Sequence, residues 1–189
     1  MTLRNNVAST EESALAATTP LTVRTLRFPA SLPPVILGPM DARDIEFMRM
    51  ALEEARAAER AGEVPIGAVV VQGGEVIARA SNRTITDCDP TAHAEIVALR
   101  HAARATRNHR LGGATIYATI EPCAMCAGAM VQARIERLVY GADDPKGGAV
   151  SSCFAVLDHP QLNHRVTVTA GVLAEECAAL LQVFFAARR

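Results

Sequence analysis

The spacing of hydrophobic and polar positions changes along the chain, and each change predicts a new element. Between Asp41 and Gly62, apolar residues recur at helical spacing, and Gly62 predicts the end of that helix. Its apolar positions include Ile45, Met48, Leu52 and Ala55. The run from Ile66 to Val71 is rich in β-branched residues and predicts a buried strand. Gly73-Gly74 follows as a two-residue turn into a second strand, so this region predicts a hairpin.

The rest of the chain alternates between helical and extended patterns. Asp89-Pro90 predicts an N-cap and a first-turn proline, opening a helix through about Arg104. Pro122 in the same way predicts the start of a helix through about Ala133. The remaining predicted elements are strands at Glu75 to Ser81, Thr115 to Thr119, Arg137 to Tyr140 and Val166 to Thr169, and a helix from Ala174 to Ala187.

This alternation predicts an α/β fold in which helices cover both faces of a sheet. The strand, helix and strand between residues 115 and 140 predict one right-handed parallel crossover. Residues 1–40 lack sustained periodicity and hold five of the ten prolines. We therefore expect a disordered N-terminal extension at 1–40 and a single domain at 41–189. Met40 stands just before the first helix and is an alternative translation start.

Composition narrows the class of protein. Half of the 189 residues are hydrophobic, which is enough for one well-filled core, and the net charge is −1. That balance argues against a protein that holds nucleic acid through bulk positive charge. The 5 cysteines cannot all pair, and no apolar stretch is long enough for a membrane span. We therefore expect a protein of the reducing cytoplasm, where cysteine serves metal binding, catalysis or packing.

Two short segments carry candidate chemistry. The first is Thr91-Ala92-His93-Ala94-Glu95, and the second is Glu121-Pro122-Cys123-Ala124-Met125-Cys126. One histidine and two cysteines are three good zinc ligands, and three protein ligands with an open fourth position are typical of a catalytic site. A closed structural site would need a fourth ligand, for which Cys88 is the nearest candidate.

Helix geometry constrains how these residues meet. Cys123 and Cys126 share one face of a helical first turn, because they are three residues apart. His93 and Glu95 are two apart, so both approach one metal only if it lies off the N-terminal end of their helix. Zinc lowers the pKa of bound water to about 7, and a nearby carboxylate such as Glu95 can then carry its proton. Taken alone, Glu95 is explained as a solvated helix residue, and Cys123 and Cys126 as small buried hydrophobic residues. Taken together, the two segments favour catalysis.

His-x-Glu followed by Pro-Cys-x-x-Cys is the pattern of zinc nucleobase deaminases. The flanking residues narrow the resemblance: the chain resembles the bacterial tRNA-specific adenosine deaminase family, within the cytidine and deoxycytidylate deaminase superfamily. The similarity runs from about Asp41 to Arg189. The segments that carry it include Ser81-Asn82-Arg83, Ala127-Gly128-Ala129-Met130, Asn163-His164-Arg165-Val166 and Glu175-Glu176-Cys177.

The resemblance implies a cytidine deaminase-like three-layer α/β/α fold with a central mixed five-stranded sheet. It implies hydrolytic deamination of adenosine to inosine at the wobble position of a tRNA anticodon. His93, Cys123 and Cys126 would hold one Zn²⁺ per subunit, and Glu95 would carry protons. The implied partners are a tRNA anticodon stem-loop and a second copy of the chain in a homodimer.

The resemblance also implies substrate contacts. Asn82 would hydrogen-bond the flipped-out purine; the alternative is a turn residue that closes the second strand. Asp144 and Lys146 would contact anticodon nucleotides. Their loop contains an extra acid and a proline relative to the family pattern, and a plain surface turn is the alternative.

Several other features remain open. Phe184-Phe185 and Arg188-Arg189 could contact the RNA, although two phenylalanines on an amphipathic helix are more often core. Arg100, Arg104, Arg107 and Arg110 form a basic stretch that is either phosphate-facing or simply solvated. Cys88, Cys153 and Cys177 lack ligand spacing, so we expect them to pack in the interior.

Two other functions compete with wobble deamination. One is a deaminase of a free base or nucleoside, because the catalytic pattern is shared. The other is a non-catalytic zinc protein that partners an active deaminase, but such a protein would not need Glu95.

Overall fold

The computed structural model describes residues 41–188 of the chain. The predicted extension at 1–40 lies outside the described residues, as does Arg189. The described part contains four helices: α1 (Ala42–Arg60), α2 (Ala94–Thr106), α3 (Ala124–Ala133) and α4 (Ala174–Ala186). It contains five strands: β1 (Gly67–Gln72), β2 (Glu75–Ser81), β3 (Ala114–Ile120), β4 (Arg137–Ala142) and β5 (Thr167–Thr169).

The five strands form one mixed sheet in the order β2-β1-β3-β4-β5. The predicted hairpin is confirmed, because β1 pairs antiparallel with β2. Antiparallel pairing continues from β1 to β3, whereas β3, β4 and β5 run parallel. The predicted parallel pairing on either side of α3 is therefore confirmed as well.

Alternating residues of the central strands point to opposite faces, and each face has its own apolar core. Ala68 and Val70 of β1 face a cluster that includes residues of α2 and α3. Val69 and Val71 face the other way, against residues of α1 and α4. Helices therefore cover both faces, and the expected three-layer α/β/α fold is confirmed.

An ion-pair network joins α1 to the sheet. The carboxylate of Asp44, in the first turn of α1, accepts hydrogen bonds from Arg137 on β4 and from the hydroxyl of Tyr117 on β3. The backbone N–H of Asp41 also donates to Asp44 at 2.8 Å, so one buried side chain both caps α1 and fixes it on the sheet.

Two predicted helix starts are wrong. Helix α2 begins at Ala94 with His93 as its N-cap, four residues later than Asp89-Pro90 suggested. The Asp89 side chain instead accepts from the N–H and the hydroxyl of Thr91 and closes a local turn. Likewise, α3 begins at Ala124 with Cys123 as its N-cap, so Pro122 lies before the helix.

The expectation that three cysteines pack in the interior is correct only for Cys177. Cys88 and Cys153 are both exposed, because each lies in an irregular surface loop. Among residues 41–188, none of the helices combines the length and hydrophobicity that crossing a bilayer requires.

Candidate metal centre and substrate cleft

The N-terminal ends of α2 and α3 bring three potential metal ligands together. His93 and Cys123 are the N-cap residues of α2 and α3, and Cys126 lies in the first turn of α3. The His93 Nδ1 atom lies 3.7 Å from the Cys123 sulfur and 3.6 Å from the Cys126 sulfur. The two sulfurs are 3.7 Å apart. Both helices thus direct their positive ends at the same point, as the helix geometry predicted.

These separations match the donor spacing of a tetrahedral zinc ion. Zn–S bonds of about 2.3 Å and Zn–N bonds of about 2.05 Å place two sulfurs about 3.8 Å apart and a sulfur and a nitrogen about 3.6 Å apart. One imidazole and two thiols are also the donor types that zinc prefers. The cluster therefore fits zinc in both geometry and chemistry. Cys88, the fourth ligand considered above, is absent from this described cluster.

The two thiols of the cluster differ in how readily they ionise. Hydrogen bonding with Cys126 and with His93 lowers the pKa of Cys123 to about 3, whereas the hydrogen bond with Cys123 and burial raise the pKa of Cys126. Because a thiolate rather than a thiol binds metal, Cys123 is a ready ligand at neutral pH. The partial positive charges at the two helix N-termini act in the same direction.

Glu95 lies beside the cluster but not in it. It is the second residue of α2, its side chain is 2% exposed, and its carboxyl group contacts the Cys126 thiol. Burial raises the pKa of Glu95, because removal from water disfavours the charged form. A buried carboxyl group beside the metal ligands and outside the donor set can exchange a proton with a molecule bound there.

Asn82 directly follows β2, and a second buried glutamate, Glu63, holds it there. Its side-chain amide donates to the Glu63 carboxylate at 3.2 Å, and its backbone N–H donates to the Ile66 carbonyl at 2.9 Å. Glu63 also accepts from the backbone N–H groups of Ile85 and Thr86. The Asn82 amide therefore has a fixed orientation within a buried polar network.

Asp144 and Lys146 lie in the loop that follows β4. Asp144 is half-buried, and its Oδ1 atom accepts from the backbone N–H groups of Lys146 and Gly147. Lys146 is exposed. The Asp144 carboxylate therefore shapes its own turn, while the Lys146 side chain remains available to a ligand.

An open cleft of about 730 Å³ lies next to these residues. Its apolar wall includes Ile66, which is hydrogen-bonded to Asn82, and Ile120, the last residue of β3. The remaining lining residues include Asp144 and Lys146 on one side and Phe185 and Arg188 of the C-terminal segment on the other. His93, Cys123 and Cys126 do not line this cleft.

The two C-terminal phenylalanines have different surroundings. Phe184 is buried, with the Arg188 guanidinium stacked 3.5 Å from its ring centroid, whereas Phe185 is 48% exposed and faces the cleft. The basic stretch on and after α2 is exposed at each of its four arginines. Arg100 pairs with Asp89 at 3.6 Å.

Two buried carboxylates beside the candidate site, Glu63 and Glu121, received no role from the sequence patterns. Glu63 precedes the apolar run of β1 and its partners lie about twenty residues away, so no local spacing marked it. Glu121 belongs to the second motif, and its carboxylate accepts from backbone N–H groups between Asp144 and Ser152. An acid directly before the Pro-Cys pair was the one signal that could have identified it.

Comparison with known proteins gives consistent matches. A model of the MafB19-like deaminase family matches residues 42–189. The chain is 51% identical over 147 residues to a tRNA-specific adenosine deaminase of Haemophilus influenzae, covering 77% of this chain and 85% of the relative. It is 48% identical over 143 residues to a tRNA-specific adenosine deaminase of Bacillus subtilis, covering 76% and 89%.

Solved structures show the same similarity. One, from a study of A-to-I editing by tRNA:A34 deaminases at the wobble position, matches with a TM-score of 0.70 and 51% identity, covering 72% of this chain and 99% of that chain. The guanine deaminase of Nitrosomonas europaea matches with a TM-score of 0.66 and 27% identity, covering 82% and 88%.

Proposed function

The chain belongs to the tRNA-specific adenosine deaminase family, and from this membership we propose that it hydrolyses adenosine to inosine at the wobble position of a tRNA anticodon. The observation that carries the proposal is the His93, Cys123 and Cys126 cluster with Glu95 beside it, in a chain 51% identical to a tRNA-specific adenosine deaminase. Water and adenosine give inosine and ammonia, so the reaction needs no further reactant.

In this proposal His93, Cys123 and Cys126 would hold one Zn²⁺ per subunit. When bound, zinc would supply the Lewis acidity that lowers the pKa of water, so that hydroxide, the nucleophile of the hydrolysis, forms near neutral pH. The Glu95 carboxylate takes a proton from the attacking water and returns it to the amine that leaves C6 of the adenine. Its burial excludes bulk water, which keeps the proton between carboxylate and substrate.

The proposed substrate-binding roles follow from family membership. The target base leaves the stack of the anticodon loop and enters the buried centre, where the Asn82 amide hydrogen-bonds it. Asp144 and Lys146 contact neighbouring nucleotides in the open cleft, and the Lys146 cation suits a phosphate. The substrate partner is a tRNA anticodon stem-loop. We also propose a homodimer and a cytoplasmic enzyme, in keeping with the family and its tRNA substrate.

The test offers the purified protein an anticodon stem-loop with a wobble adenosine and, separately, free cytosine, guanine and adenosine. Mass spectrometry then identifies the products. The proposal expects inosine in the stem-loop. Conversion of a free base without inosine in the stem-loop would contradict it and favour a free-base deaminase, the activity that the similarity to guanine deaminase keeps as second candidate.

A further inference from the structure

The loop that carries Asp144 and Lys146 has no regular secondary structure of its own. Among the described residues, β4 ends at Ala142 and β5 begins at Thr167, with neither helix nor strand between them. The part next to the metal centre, residues 143–153, is here called loop 143–153. Because the loop lacks the hydrogen-bond ladder of a strand or helix, its backbone groups need other partners. Some of these lie within the loop, such as the Asp144 carbonyl, which accepts from the Gly148 N–H at 2.9 Å.

The Glu121 side chain connects the two ends of the loop by hydrogen bonds. Its Oε1 atom accepts from the backbone N–H groups of Val150, Ser151 and Ser152 at 3.0, 2.7 and 3.0 Å. Its Oε2 atom accepts from the backbone N–H of Asp144 at 3.1 Å and from the Ser152 hydroxyl. Donors from both ends of loop 143–153 thus converge on one carboxylate that is 1% exposed.

The loop also pairs with the backbone of the two residues that follow Glu121, one of which is the metal ligand Cys123. The next residue, Pro122, accepts at its carbonyl from the Ala149 N–H at 2.8 Å, and Cys123 forms an isolated β-bridge with Gly148. A Cβ atom on Gly148 would lie 2.2 Å from the Glu121 Oε2 atom. The absence of a side chain at Gly148 therefore allows the loop to lie directly against the carboxylate.

We propose that Glu121 is a positioning residue that holds Asp144 and Lys146 in fixed register with the metal centre. This inference rests on the proposed function, because it assigns the loop to anticodon binding. A loop that is already ordered loses little conformational entropy when the RNA binds. Glu121 therefore increases the affinity for the substrate. Glutamine cannot replace it: one oxygen becomes an N–H₂ group, which faces backbone donors and leaves them unpaired.

The experiment compares the zinc-loaded Glu121→Gln variant with wild type. The matched control is Glu136→Gln, the same change at an exposed carboxyl group. In Glu121→Gln we expect unchanged metal content and at least about tenfold faster amide exchange across residues 144–152. We expect KM for the stem-loop to rise about tenfold or more while kcat stays within about threefold. Ser152→Ala, which removes one donor, gives smaller shifts of the same kind.

Three results would overturn the proposal. They are unchanged amide exchange in loop 143–153, a fall in kcat without a rise in KM, and faster exchange with an unchanged KM. If Glu121→Gln does not fold, Ser152→Ala carries the same comparison. If the wild-type protein leaves the stem-loop unmodified, the proposed function fails, while the exchange measurement, which needs no substrate, still decides whether Glu121 holds the loop.

Discussion

At the scale of single residues, the site uses buried glutamates for opposite purposes. Burial opposes ionisation of Glu63 and Glu121, yet hydrogen bonds from Thr86 to Glu63 and from Ser152 to Glu121 lower the pKa of each. At Glu95 burial prevails and the pKa is raised. The first two are therefore fixed anions that hold loops, whereas Glu95 can take up and release a proton.

Glu95→Gln tests the proton-carrying role. The variant keeps a side chain of the same size but cannot carry a proton, so we expect kcat for inosine formation to fall by at least about a hundredfold. Zinc content should stay at the wild-type level, because Glu95 is outside the ligand cluster. Single-turnover kinetics measures the rate of inosine formation, and metal analysis of the same sample measures its zinc content. Near-native turnover in Glu95→Gln would refute the role.

At the scale of elements, α1 is held on the sheet by a polar network and by close backbone packing. Burial opposes ionisation of Asp44, but hydrogen bonds from Arg137, Asp41 and Tyr117 lower its pKa below the usual 3.8. The network links the start of α1 to β3 and β4. It therefore contributes to the fold rather than to the chemistry.

Asp44→Asn should destabilise the protein by about 3 kcal/mol at neutral pH, because Arg137 loses its buried counter-charge. Since the folded-state pKa of Asp44 is lowered, the contribution is fully present above pH 3.8 and is lost as the pH falls through the folded-state value. Urea unfolding of wild type and variant at pH 7, 5 and 3 measures the difference between their free energies of unfolding. This difference should become smaller only at pH 3. A difference that stays constant or grows at pH 3 contradicts the assignment.

The packing of α1 on β1 depends on Gly67. A Cβ atom there would lie 2.1 Å from the Ala51 carbonyl oxygen and 2.5 Å from the Ala55 nitrogen. Because both are backbone atoms, we expect Gly67→Ala to lower the free energy of unfolding by about 3 kcal/mol. Gly112→Ala is the matched control, with nothing within 4 Å of the added atom, and should change stability by less than about 0.5 kcal/mol. Equal stability of the two variants would contradict the close packing.

The sequence predicted the existence of each described helix and strand, but it misplaced the start of two helices. Periodicity located the nine described elements, because apolar spacing reflects which face of each element is buried. The starts of α2 and α3 were misplaced because prolines signal helix entry, whereas His93 and Cys123 have extended backbone. Local spacing did not reveal the partners of Glu63 and Glu121, because these lie about twenty to thirty residues away. The one local signal for Glu121 was its position directly before Pro122-Cys123.

At the scale of the whole molecule, one domain carries the proposed site. The family model covers 42–189, and every residue of the candidate site lies within that range. The net charge of −1 fits this arrangement. A short single-stranded loop can be recognised by pocket shape, base hydrogen bonds and a few local cations, without a broad basic surface.

Removal of residues 1–39, so that the chain begins at Met40, tests the domain boundary. We expect the shortened chain to keep its melting temperature, its metal content and its kcat/KM for the stem-loop within about twofold, because the domain contains its own core. Thermal unfolding and steady-state kinetics provide the comparison. A large loss of activity in a folded, metal-loaded protein would assign the first 39 residues to the function.

The most direct test of the central claim is to locate inosine in a complete tRNA. An unmodified transcript with adenosine at the wobble position is incubated with the zinc-loaded protein, and each nucleotide is then examined by sequencing and mass spectrometry. A second transcript has guanosine at the wobble position and keeps its other adenosines. The account predicts inosine at the wobble nucleotide of the first transcript and at no position of the second. An unchanged wobble adenosine, or equal editing of other adenosines, would contradict it.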